Sequence, residues 1–142
     1  MEMRRLTPRY YVSPQIAAED MPALRDAGIT RILCNRPDAE VPPSQQAAAI
    51  RAAATEAGIG FAEVPLTHQT MVPDVIARNR AEGVETNETV LAYCASGTRS
   101  TIAWALGQAG QLPADDIVAS ARAAGYDLEN LRPMLGASFT AD

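Results

Sequence analysis

Apolar positions fall into short runs separated by longer stretches of mixed polarity. Tyr10-Tyr11-Val12, Ile29-Thr30-Arg31-Ile32-Leu33-Cys34, Phe61-Ala62-Glu63-Val64 and Thr89-Val90-Leu91-Ala92-Tyr93 have the length and side-chain content of strands. Helical segments lie between them. One covers about 18–27, with Pro22 in its first turn and Gly28 as its stop. A second opens at Pro42-Pro43-Ser44, with Ser44 expected as N-cap, and ends at Gly58. Others are expected over about 72–82, over about 100–109, and from Pro113 to before Gly125, where Asp115 and Asp116 complement the helix dipole. Asp127 is placed to cap a last short helix that Pro133 disturbs, and residues 137–142 are expected to fray. The alternation predicts an α/β fold, a mostly parallel sheet of four to five strands flanked by helices, in one domain over 1–142.

In such sheets ligands bind beyond the carboxyl ends of the strands. If the strands are parallel, three segments share that edge: Cys34-Asn35-Arg36, Pro65-Leu66-Thr67-His68 and Cys94-Ala95-Ser96-Gly97-Thr98-Arg99-Ser100. The last joins an apolar strand to a helix through small residues. That geometry converges backbone N–H groups on one point and adds the positive helix terminus. A cysteine at its start is favoured as the thiolate, the nucleophilic form. Cys94, Arg99 and Ser100 are therefore the candidate catalytic residues. Arg99 offers a planar fork to an oxyanion; Ser100 has two compatible readings, donor to the Cys94 sulfur or helix N-cap. Ala95, Ser96, Gly97 and Thr98 are candidate substrate-binding residues through their amides.

Arg36, Asp38 and His68 complete the candidate binding set. Arg36 is read either as a holder of an anionic donor, its fork fixed by Asp38, or as a solvated arginine beside a Pro-Asp turn. His68 is either a proton donor or a surface histidine. Cys34 is either a buried apolar residue or a thiol that protects Cys94 as a disulfide. Tyr93 and Trp104 read as core.

Composition narrows the chemistry. The 142 residues carry a net charge of −5, which argues against a nucleic-acid binder. All twelve basic residues are arginine, so Schiff-base chemistry and a lysine base are excluded. One histidine and two cysteines leave no histidine-rich metal site and no zinc cluster, and no cofactor is implied. No apolar run approaches a membrane span, and Met1-Glu2-Met3-Arg4-Arg5 does not lead into a signal core, so a cytoplasmic location is expected.

Spacing separates two reactions. Protein-tyrosine and dual-specificity phosphatases place five residues between cysteine and arginine; here there are four, the rhodanese length. A shorter loop is a smaller cradle, suited to one sulfane sulfur. A phosphatase also benefits from an acid for its leaving group. The matching place, Thr67-His68-Gln69, has no carboxylate, and Asp74 reads as a first-turn helix residue. The leading expectation is a sulfurtransferase. Cys94 takes sulfur from thiosulfate or a low-molecular-weight persulfide, becomes a persulfide, and passes the sulfur to a thiol acceptor by a ping-pong route. One alternative is a phosphatase acting through a Cys94 phosphocysteine. Another is a non-catalytic module that binds an anion or a partner protein.

The chain also resembles a bacterial family, the phosphatase-like domain of beta-lactamase-hydrolase-like proteins, known too as a sulfur transferase family. The matching residues are Val12-Ser13-Pro14-Gln15-Ile16, Asn35-Arg36-Pro37-Asp38-Ala39-Glu40, Val64-Pro65-Leu66-Thr67, and Leu91 through Ser100 with Trp104-Ala105-Leu106 beyond. The resemblance implies a dual-specificity-phosphatase-like fold. It also implies sulfur handling, with a persulfide dioxygenase or other sulfide-oxidising enzyme as an expected partner. Family members often carry a basic residue directly after the catalytic cysteine; this chain has Ala95.

Overall fold

The computed structural model describes residues 2–136. Strands β1 (Arg4–Thr7), β2 (Tyr10–Ser13), β3 (Arg31–Cys34), β4 (Gly60–Glu63) and β5 (Val90–Tyr93) form one sheet in the order β1-β2-β5-β3-β4. β1 is antiparallel to β2, and the other pairs are parallel. Ser13 and Cys34 both stand opposite Tyr93, and Glu63 stands opposite Cys34. The chain therefore leaves β2, β3, β4 and β5 on a common edge, where an open parallel sheet binds its ligands.

β5 is buried along its whole length, as a central strand covered on both faces must be. Its side chains alternate between two cores. Val90 and Ala92 join Tyr10, Val12 and Leu33 under α3 (Pro73–Gly83), α4 (Thr98–Gln108), α5 (Ala114–Ala123) and α6 (Arg132–Leu135). Leu91 and Tyr93 join Ile32 and Cys34 under α1 (Met21–Asp26) and α2 (Ala47–Glu56). Trp104 lies in the first core and Tyr93 in the second, as their patterns suggested. α3 comes so close to the sheet at Gly83 that a β-carbon there would sit 2.8 Å from the Tyr10 ring and 3.0 Å from Leu33. Only glycine permits that approach.

Two local features differ from the sequence expectation. β1 was not expected: Arg-Arg-Leu-Thr buries only Leu6, and the strand exists because it pairs with β2. α2 starts at Ala47, after Gln46, because Pro43–Gln45 forms a separate 3-10 turn, so Ser44 is not its N-cap. The Asp38 carboxylate accepts from the Ala47 N–H at 2.8 Å and satisfies that terminus instead. Asp127 does accept from the Glu129 N–H at 3.0 Å, and Asp74 does stand in the first turn of α3. Residues 137–142 lie outside the described residues.

Candidate active site

Cys94 is the first residue after β5. Its N–H donates to the Ser13 carbonyl at 3.4 Å, so the ladder holds the chain up to the cysteine itself. Its side chain is fully buried yet belongs to neither apolar cluster. The sulfur faces backbone instead: the Gly97 N–H donates to Cys94 Sγ at 3.1 Å. Gly97 has φ +91° and is the N-cap of α4, whose first N–H groups point back toward the loop. Its carbonyl accepts from Thr101 N at 3.0 Å and Thr101 Oγ1 at 2.7 Å, which fixes the first helical turn. Ser96 and Thr98 join hydroxyls at 2.9 Å on the exposed rim, and Ala95 is exposed beside them. The Ala95 carbonyl accepts from Gln15 N at 3.4 Å, tying the loop to the chain leaving β2.

Arg99 is clamped. Nη1 donates to Glu40 Oε2 at 2.9 Å and to the Leu66 carbonyl at 2.8 Å, and Nη2 donates to Glu40 Oε1 at 2.7 Å. A guanidinium has five N–H donors in a rigid fork. Three are committed here, which leaves the Nε edge and one Nη2 hydrogen for an anion. The pair is mutually stabilised. Hydrogen bonding to Glu40 is the main cause that raises Arg99 above its ordinary value, with smaller contributions from the Glu40 charge and from Cys94. Hydrogen bonding to Arg99 is the main cause that lowers the Glu40 carboxyl. The guanidinium thus faces both the clamp and the sulfur.

The other candidate residues divide. Arg36 reaches the site, but through Glu40 rather than Asp38: Nε donates to Glu40 Oε1 at 3.1 Å and Nη1 to Gln15 Oε1 at 3.3 Å. One Asp38 carboxylate oxygen is committed to the start of α2, and no hydrogen bond joins Asp38 to Arg36 among the described residues. The Ser100 hydroxyl hydrogen goes to a partner other than the sulfur. Ser100 is the third residue of α4, not its cap, and its hydroxyl donates to Asn35 Oδ1 at 2.8 Å in a fully buried pair. Asn35 Nδ2 in turn donates to the Val64 carbonyl at 2.9 Å and Asn79 Oδ1 at 2.8 Å. His68 is exposed in the turn after β4, with no side-chain hydrogen bond among the described residues. Cys34 and Cys94 are both free, and burial pushes the Cys34 thiol up. Glu40 and Tyr126 are the site residues that the sequence pattern did not single out. The Tyr126 hydroxyl donates to the Ser96 carbonyl at 3.0 Å.

A family model described as "Beta-lactamase hydrolase-like protein, phosphatase-like domain" matches residues 2–111. The chain belongs to that family. A beta-lactamase hydrolase-like protein of Agrobacterium fabrum is 28% identical over 130 residues, covering 90% of this chain and 30% of the relative. The chain thus spans about a third of the length of the curated relatives it matches. Among solved structures, a candidate phosphatase from Neisseria meningitidis is 34% identical, with a TM-score of 0.82 over 96% of this chain and 97% of that one. PTPMT1 superposes with a TM-score of 0.73 at 12% identity over 94% and 92% of the two chains, a likeness of fold. This phosphatase-like domain therefore has the α/β architecture of the cysteine phosphatases, and among the described residues no helix is long and apolar enough to cross a membrane. The Neisseria relative is described as a candidate phosphatase and the Agrobacterium relative as hydrolase-like.

Proposed function

We propose that this domain is a cysteine-dependent phosphatase acting through a Cys94 phosphocysteine. The supporting observation is the Gly97 N–H on the Cys94 sulfur, at the start of a helix whose second residue, Arg99, keeps an open guanidinium edge. A phosphate monoester offers a dianion to that edge and to the loop amides. The Cys94 thiolate attacks phosphorus, an S–P bond forms, and the P–O bond to the leaving oxygen breaks with its electron pair. Water then attacks phosphorus, releases inorganic phosphate and returns the thiolate. A phenolate leaves without an added proton, so an aryl phosphate is the test substrate. Two free thiols suit the reducing cytoplasm.

The four-residue spacing between Cys94 and Arg99 supports a second reading, sulfur transfer through a Cys94 persulfide. The phosphatase-like relatives weigh against it. Purified protein assayed with an aryl phosphate and with thiosulfate plus a thiol acceptor, beside Cys94→Ser, separates the readings. Hydrolysis that Cys94→Ser abolishes supports the phosphatase. Cys94-dependent thiosulfate turnover alone supports sulfur transfer, and no turnover of either supports a binding module.

A further inference from the structure

The Ser96–Gly97 peptide carries two hydrogen bonds pointing in opposite directions. Its carbonyl accepts from the Tyr126 hydroxyl at 3.0 Å, on the outside of the loop. Its N–H donates to Cys94 Sγ at 3.1 Å, on the inside. The C=O and N–H of a trans peptide are antiparallel and rigidly coplanar, so holding one aims the other. Gly97 does not make that choice alone. Glycine accepts positive and negative φ about equally, so its own sterics do not forbid the flipped peptide. A flip would turn the Ser96 carbonyl oxygen toward the sulfur and replace an attractive dipole with a repulsive one.

Tyr126 is itself well anchored for this purpose. Its N–H donates to the Ala121 carbonyl at 2.9 Å, at the end of α5. The Arg4 guanidinium lies 5.6 Å from the centre of its ring and donates to the Ala124 carbonyl at 2.8 Å, which brings β1 into the same support. The phenol packs so tightly on Gly97 that a β-carbon there would overlap its hydroxyl and lie 3.1 Å from Cζ. Burial, the largest cause, holds the phenol above its ordinary value, so it remains an O–H donor at neutral pH.

We infer that Tyr126 is a positioning residue: its hydroxyl locks the Ser96–Gly97 peptide so that the Gly97 N–H is aimed at the Cys94 sulfur and sustains the thiolate. The inference rests on Cys94 being the nucleophile but not on which group Cys94 attacks.

The test is the pH dependence of Cys94 alkylation by iodoacetamide in the full chain, followed by peptide mass mapping that separates Cys94 from Cys34. Wild type, Tyr126→Phe and Tyr126→Ala are compared. Tyr126→Phe keeps the ring and its contact with Arg4 and removes only the hydroxyl. It is expected to raise the alkylation midpoint by about 0.5–1 pH unit, with the rate at high pH unchanged. Tyr126→Ala is expected to raise it at least as far. An unchanged midpoint in Tyr126→Phe overturns the inference, whether or not Tyr126→Ala moves it, because the ring alone then supports the loop. Aryl phosphate turnover is measured alongside. If wild type hydrolyses none while Tyr126→Phe still shifts the midpoint, the phosphatase reading fails and the positioning role stands.

Discussion

Ser100 offers a sharp separation of stability from chemistry. In the structure its hydroxyl donates to Asn35 Oδ1 at 2.8 Å, and both side chains are fully buried. Ser100→Ala removes the donor and leaves Oδ1 with no hydrogen-bond partner among the described residues. The two Asn35 amide hydrogens stay committed to Val64 and Asn79, so the amide cannot rotate to find another without breaking those bonds. A buried acceptor left unmade costs about 1–3 kcal/mol. For a domain near 150 residues that is a loss of about 2–4 °C in Tm per kcal/mol, or roughly 2–12 °C in all. Thermal unfolding by circular dichroism reads this directly. A double-mutant cycle with Asn35→Ala should be non-additive by about 1 kcal/mol, since the two residues share one bond. Ser100→Ala should leave the midpoint of Cys94 alkylation in place, because the hydroxyl donates its hydrogen to Asn35. A Tm equal to wild type together with a tenfold or greater fall in kcat would refute the reasoning and return Ser100 to the thiolate.

Other consequences are open to measurement. Gly97→Ala forces an L-residue into positive φ, at about 1–2 kcal/mol, and drives its methyl into the Tyr126 hydroxyl. Denaturant unfolding should show at least that loss, and a variant as stable as wild type would mean the loop conformation is wrong. Asp38→Ala should cost about 0.5–2 kcal/mol through the uncapped start of α2 with kcat/KM unchanged; reduced turnover at full stability would instead place Asp38 at the substrate. The Glu40 carboxyl is lowered from its ordinary 4.5 by Arg99, so its clamp adds stability above that pH and loses it as pH falls through the lowered value. Carbon-detected NMR should place the Glu40 titration below 4.5, and a midpoint at or above 4.5 would mean the clamp does not form in solution.

Much of the fold was legible because its punctuation is strong. Gly28, Gly58 and Gly125 end helices at positive φ, Pro73 opens α3, and the apolar run ending at Tyr93 reads as a strand, which the structure places at the centre of the sheet. The loop was legible for the same reason, since the chain passes from that run through small residues into a helix. What escaped depends on rotation and on distance along the chain. α4 begins at Thr98, two residues before the expected start. Two residues are about 200° of helical rotation, so the expected start does not say which partner the Ser100 hydroxyl finds. Asp38 and Glu40 stand two apart beside Arg36, and the 3-10 turn at Asp38–Glu40 decides which carboxylate meets the arginines. Spacing alone carries no trace of that choice. Tyr126 lies thirty residues beyond Ser96 and reaches it only through the packing of α5 and β1.

The central claim is that the Cys94 sulfur, held under the Gly97 N–H, forms a covalent bond to phosphorus during turnover. Rapid acid quench of wild type mixed with an aryl phosphate, followed by intact mass and fragmentation, tests it most directly. The account predicts a transient gain of one phosphoryl group on Cys94, absent in Cys94→Ser. A protein that stays unmodified with the phosphate ester but gains one sulfur atom on Cys94 with thiosulfate would contradict it.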